Sequence, residues 1–170
     1  GIIATLPEIT IQLTYQDGAQ RVLLNGEDVS EAIRTPEISY YASKVSAVPE
    51  VRRFLLETQR NMAKNSSILM DGRDIGTVIL PDAPVKIFLT ASAQSRAERR
   101  YKELIEKGQQ VTMDGILHDI NERDRQDMTR AVAPLKRADD AVLLDTSSLT
   151  LEESIAAVLH IIREKTEEKA

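Results

Sequence analysis

The chain has 170 residues, 42% of them apolar and 29% charged, which suits one soluble globular domain, or one with a small insertion. Its 22 basic and 27 acidic residues give a net charge of −5, which argues against a surface that coats nucleic acid. There is no cysteine, so disulfides and thiolate chemistry are excluded and a reducing cytoplasm is expected. No apolar run is long enough to span a membrane, and nothing at the start reads as a signal peptide.

Residues 8–25, "EITIQLTYQDGAQRVLLN", alternate apolar and polar around Asp17-Gly18, a dipeptide favoured in tight hairpins. The pattern predicts a β-hairpin with Ile9, Ile11 and Leu13 on one face. From Glu27 the pattern changes. Thr35-Pro36 marks a helix start, since proline is tolerated in the first turn, and "EISYYASKVSAV" runs as a short helix to Pro49. A second helix follows in "PEVRRFLLETQRNMAKN", with Val51, Leu55, Thr58 and Met62 at helical spacing.

Apolar runs at 66–70, 85–90 and 141–146 predict three buried core strands. Between and after them lie helices. The first is "AQSRAERRYKELIEKG", stopped by Gly108. The second is "DGILHDINERDRQD", with Ile116, Leu117 and Ile120 on its apolar side. The third is "LEESIAAVLHIIREK", opened by a Thr150/Glu153 capping box and striped by Leu151, Ile155, Val158, Leu159 and Ile162. Uninterrupted apolar strands alternating with helices predict a parallel sheet covered on both faces. The hairpin breaks that rhythm, so residues 8–34 are expected to be an insertion.

Three charged clusters are candidates for chemistry. Ligands of open parallel sheets sit at the carboxyl ends of strands, where "DGRD" sets Asp71, Gly72, Arg73 and Asp74. A guanidinium there can grip an oxyanion, and a carboxylate can accept from an amino or hydroxyl group. The plain alternative is a surface turn held by an ion pair. In "NERDRQDMTR", Arg123, Asp127 and Arg130 stand at i, i+4, i+7 on one helix face, although alternating charge on a helix is commonly just solvated. In "AERRYK", Arg96, Arg99 and Arg100 crowd little more than a turn. With Arg123, Arg125 and Arg130 they bracket residues 101–122, an arrangement suited to a mobile flap closing over polyphosphate. His118 and His160 are isolated and read as structural.

"ASKVSAVPEVRRFLLETQRN", "ILMDGRDIGTVILPDAPVKIFLTASAQSRAERR", "INERDRQDMTRAVAPL" and "ADDAVLLDTSSLT" resemble the bacterial cytidylate kinase family along essentially the whole chain. The resemblance implies an α/β fold of the P-loop nucleoside-monophosphate-kinase kind, with a helix-covered parallel sheet. A small antiparallel β insertion in the monophosphate-binding domain is also implied. Part of that domain would occupy 1–64 (the β insertion at 8–34), the core 65–98 and 131–170, and a lid 99–122. The implied activity is transfer of the γ-phosphoryl group of ATP, with Mg²⁺, to CMP or dCMP in the pyrimidine metabolism of the cytoplasm. The implied state is a monomer at full length, with no membrane or nucleic-acid partner.

Carried over by position, Ser43, Arg52 and Asp74 would read the cytosine edge. Arg73 and Arg130 would hold the monophosphate, Arg123 and Asp127 the sugar, and Arg99 and Arg100 the donor phosphates. The catalytic set implied is thus Arg99, Arg100 and Arg130. The chain departs from the family pattern in one respect: it contains no G-x-x-x-x-G-K-[ST], the loop that cradles donor phosphates. Three expected core strands against the family's five, and a start at Gly1 without Met, lead to two expectations. The 170 residues are a C-terminal portion, inactive alone and unstable as an isolated monomer, because buried unpaired strand groups cost about 1–3 kcal/mol each. Their partner would be a missing N-terminal segment. A non-catalytic nucleotide-binding or interaction fragment is the alternative.

Overall fold

The computed structural model describes residues 1–46 and 48–167, apart from the side chains of Pro36, Ser39, Ser43 and Asn65. They form two compact units, Gly1–Leu69 and Met70–Ala170, an α/β protein with one parallel strand pair and one small antiparallel sheet.

In the first unit a short helix, α1 (Ile2–Thr5), and a 3-10 turn lead into strands β1 (Ile11–Gln16), β2 (Ala19–Leu24) and β3 (Glu27–Asp28). The strands form an antiparallel meander in the order β1-β2-β3. Gln16 faces Ala19 across Asp17-Gly18, whose φ values of 52° and 76° are those of a tight hairpin turn matched to strand twist. The same chemistry recurs at Asn25-Gly26, with φ of 51° and 87°, and folds back β3. This third strand is not among the sequence expectations, although Asn-Gly is as strong a turn signal as Asp-Gly. Ile9, Ile11 and Leu13 are buried only at the root, since Leu13 is 47% exposed and Tyr15, two residues on, is 76% exposed.

Helix α2 (Pro36–Val45) starts where Thr35 Oγ1 accepts from the Ile38 N–H at 3.2 Å, with proline in the first turn as anticipated. Helix α3 (Pro49–Asn65) buries Val51 and half-buries Leu55, Thr58 and Met62, the predicted stripe. A cavity of about 250 Å³ among Ile2, Leu6, Ile11, Val51 and Phe54 lies at the root of the hairpin.

In the second unit, β4 (Ile87–Thr90) and β5 (Val142–Asp145) pair in parallel, Ile87 with Val142 through Thr90 with Asp145. Parallel neighbours need a long crossover. It is supplied by an antiparallel pair of helices, α4 (Ala93–Glu106) and α5 (Met113–Thr129). Lys86 Nζ, just before β4, meets Asp140, just before β5, at 2.7 Å, and Thr146 Oγ1 donates to the Thr90 carbonyl at 3.1 Å, so the register is tied at both ends.

α4 and α5 share an apolar core of Ala97, Leu104 and Ile116, joined by Tyr101, Leu117 and Ile120. Ala97 has 0% exposure. Gly108, at φ +72°, closes α4: its N–H reaches Ile105 O and the Gln109 N–H reaches Leu104 O, a paired cap that needs a left-handed residue. Helix α6 (Leu151–Glu167) opens on the expected reciprocal box, Thr150 N–H to Glu153 and Glu153 N–H to Thr150 Oγ1. Its stripe is half-buried at Val158 and Ile162 but exposed at Leu151, Ile155 and Leu159. The strand pair is narrower than the face the helix offers.

The expected strand at 66–70 does not form. Ser66 is extended (φ −154°, ψ 152°), but no neighbouring backbone pairs with 66–70 among the described residues, and Leu69 is 91% exposed. A strand is defined by its ladder, and apolar composition does not supply a partner. Two of the three expected core strands are therefore present. Immediately after, residues Ile75–Ile79 form one π-helical turn, with Leu80 N–H on Ile75 O at 2.7 Å. Such turns are rare and cluster at functional sites.

Candidate functional site

The π-turn fixes what precedes it. Its last two amides bond to the Asp74 carbonyl, from Val78 at 2.9 Å and Ile79 at 3.2 Å, which holds the Asp74 backbone, and the Asp74 side chain is only 11% exposed. Gly72 is needed here, since a Cβ would come within 2.9 Å of Ile75.

Opposite stands the C-terminal half of α5. Arg73 Nε donates to Asp127 Oδ2 at 2.9 Å. Arg130 lies between both carboxylates, with Nη2 3.6 Å from Asp74 Oδ1 and Nη1 3.9 Å from Asp127 Oδ1. Its Nε donates to the Ala133 carbonyl at 2.6 Å, and Ala133, a non-glycine at φ +48°, turns that carbonyl towards it. The turn is held by the Leu135 N–H on Asp127 O at 2.8 Å. Arg130 Nη2 is buried and makes no hydrogen bond. Buried donors are rarely left so, and one beside two carboxylates and a second guanidinium has the character of a donor shaped for an incoming acceptor.

Four predicted residues thus come together: Arg73, Asp74, Asp127 and Arg130. Arg123 lies on the same arc of α5, exposed and without an ion pair among the described residues. Arg99 stands apart. Its guanidinium donates to the carbonyls of Thr146 and, at 3.3 Å, Leu149, so it is anchored to the loop after β5. Arg100 pairs with Glu103 at 2.7 Å, and hydrogen bonds from Lys107 and then Arg100 hold the Glu103 carboxyl below its ordinary range. Arg52 donates to Ser46 O at 3.3 Å in the first unit. Ser43 lies in α2, and its side chain is outside the described residues.

Two arrangements escape the sequence. At the carboxyl ends of the strands, the Ser147 hydroxyl and N–H hold the Asp145 carboxyl below its ordinary range. The same Ser147 Oγ accepts from the Ser92 N–H at 2.7 Å, and Ser95 donates to Ser147 O at 3.0 Å. And Arg96 forks onto Asp124, with Nη1 to Oδ1 at 3.0 Å. No spacing rule pairs residues this far apart in the chain.

What the cluster offers is two planar cations on fixed carboxylates at the end of a π-turn, suited to an oxyanion flanked by amino or hydroxyl groups. A family model described as cytidylate kinase matches residues 2–164 of the chain. The chain belongs to the cytidylate kinase family. It is 47% identical over 167 residues to the cytidylate kinase of Carboxydothermus hydrogenoformans, covering 98% of this chain and 75% of that protein. The cytidylate kinase of Thermosipho melanesiensis is 52% identical over 155 residues, 91% of this chain and 70% of that one. That of Pasteurella multocida is 47% identical over 169 residues, 99% and 74%. Members of the cytidylate kinase family are phosphotransferases, and by family so is this chain. Among the described residues no helix is long and apolar enough to cross a membrane.

Proposed function

We propose that the chain belongs to the machinery that moves the γ-phosphoryl group of ATP onto the phosphate of CMP or dCMP, giving CDP or dCDP and ADP, in cytoplasmic pyrimidine metabolism. The observation that carries the acceptor half is the cluster itself, above all the buried Arg130 Nη2, which makes no hydrogen bond and stands 3.6 Å from Asp74 Oδ1. Arg73 and Arg130 take the monophosphate, Asp74 accepts from the cytosine amino group, and Asp127 with Arg123 holds the sugar. Ser43 and Arg52 belong to the first unit, and their base-reading role rests on family membership alone. Arg99 and Arg100, in a lid of residues 99–122, reach the donor phosphates by giving up Thr146, Leu149 and Glu103.

Phosphoryl transfer asks for positioning and charge stabilisation more than covalent chemistry, so paired guanidiniums on fixed carboxylates suit it. Mg²⁺ accompanies ATP in this reading. Among the described residues no three carboxylates or histidines cluster to hold an ion.

These 170 residues contain no G-x-x-x-x-G-K-[ST]. That favours a second reading for the chain taken by itself, acceptor binding without turnover. One experiment separates the two: titrate the chain with CMP and UMP by calorimetry, then add ATP and Mg²⁺ and follow ADP. CMP binding with ADP release supports the kinase, and CMP binding without it supports the second reading. A site whose acceptor is matched to an NH group rejects the analogue lacking it by a large factor, so equal affinity for CMP and UMP sinks both.

A further inference from the structure

We infer that Arg96 and Asp124 are positioning residues that set the α5 face meeting the acceptor nucleotide, an inference that rests on the acceptor reading above. The Arg96 guanidinium uses all three of its nitrogens. Nη1 donates to Asp124 Oδ1 at 3.0 Å, Nη2 to Asp124 Oδ2, and Nε to the Ala91 carbonyl at 3.0 Å. Ala91 is the first residue past β4, Arg96 stands in the first turn and a half of α4, and Asp124 lies on α5 one residue from Arg123 and three from Asp127. One planar group therefore ties strand end, crossover helix and acceptor helix.

The apolar contacts between α4 and α5 run from Leu104 and Ile116 to Ala97 and Ile120. Beyond Ile120, on the stretch that carries Arg123, Asp127 and Arg130, the tie passes to this fork. Both partners are half-buried, with side chains 35% and 28% exposed. A two-armed fork accepts one relative orientation, whereas a lysine ammonium would make a single point contact and lose the Ala91 bond. Apolar packing is non-directional by comparison. Asp127 holds Arg73 at 2.9 Å, so a shift of α5 carries directly into the cluster.

The test is calorimetric CMP binding by the whole chain, with thermal melting in parallel, for Arg96→Ala, Asp124→Ala, the double variant and Arg96→Lys. Misplacing binding groups by about an ångström can cost up to ~100-fold. CMP affinity is expected to fall about tenfold or more in each alanine variant, no further in the double variant, and by an intermediate amount in Arg96→Lys. A merely structural pair lowers the melting temperature and leaves the affinity of the folded protein alone, and that result overturns the inference. Additive losses in the double variant overturn it too. Where an alanine variant does not fold, Arg96→Lys and Asp124→Asn carry the same comparison. Asp127→Asn keeps the two failures apart. No loss of CMP affinity there overturns the acceptor reading itself, while a loss there with none at Arg96 or Asp124 overturns only their positioning role.

Discussion

Helix α5 carries two sets of charges that use the same residue types differently. On its outer arc, Glu122 accepts from Arg125 Nε at 3.1 Å and from Gln126 at 3.1 Å, partners three and four residues away. On its inner arc, Asp124 meets Arg96 from 28 residues away and Asp127 meets Arg73 from 54 residues away. A local pair adds a little to one helix. A distant pair states where one element must lie relative to another, and it is lost if either moves. On the acceptor reading, the charges that matter for function are those whose partners come from elsewhere in the chain.

The sharpest way to break the comparison is at Asp74, half of an inner pair with Arg130. On the acceptor reading, Asp74→Asn puts an NH2 donor in place of one carboxylate oxygen facing the cytosine amino group, and mismatched polar sites lose ~100-fold or more. Asp74→Asn should therefore cost CMP about two orders of magnitude in affinity and blunt the preference for CMP over UMP, read by calorimetry. Unchanged CMP affinity would put the base elsewhere. Arg130→Lys is expected to be milder, about tenfold, because charge remains while the planar fork is lost. Measured with CMP and cytidine, the loss should vanish for cytidine, which has no phosphate to grip.

The outer arc should respond least to mutation. Glu122→Gln removes an exposed pair of the kind that contributes little, so its melting temperature and CMP affinity should match the parent chain. A drop in CMP affinity would erase the distinction between the arcs.

Smallest of all is the pH response of that arc. Arg125 and Gln126 hold the Glu122 carboxyl below its ordinary range. Unfolding restores the ordinary value, so the pair's contribution is complete above that value. It fades as pH falls through the lowered one. In Glu122→Gln the acid limb of the stability curve should lie marginally flatter than in the parent, and added salt should remove the difference.

Local signals were read well from sequence. Thr35-Pro36, Thr150 with Glu153, and Gly108 act within one helical turn, so their neighbours in the chain are their neighbours in space. Asp17-Gly18 and Asn25-Gly26 obey one turn rule, although only the first enters the expected hairpin. The apolar run at 66–70 misled because a strand depends on a partner that its own residues do not name. At the candidate site, the i, i+4, i+7 spacing of Arg123, Asp127 and Arg130 was visible, and so was the charged tip Arg73-Asp74. Which cation meets which carboxylate was not, since Arg73 and Asp127 lie 54 residues apart. The π-turn that fixes Asp74 left no mark in "IGTVI", and the Arg96–Asp124 fork looked like ordinary helix charge.

The Asn25-Gly26 turn has a chemical consequence of its own. An asparagine before glycine is prone to lose its side-chain amide, because the following N–H meets no side chain as it closes on the carboxamide carbon. Here the Asn25 carboxamide oxygen accepts from the Thr10 N–H at 2.7 Å while the Asn25 N–H bonds Thr10 O at 2.8 Å, so the side chain is held away from its own backbone. The folded hairpin therefore protects this peptide from ageing, and each unfolding exposes it. The slow gain in mass at Asn25 in stored protein becomes a clock that runs only while the first unit is open.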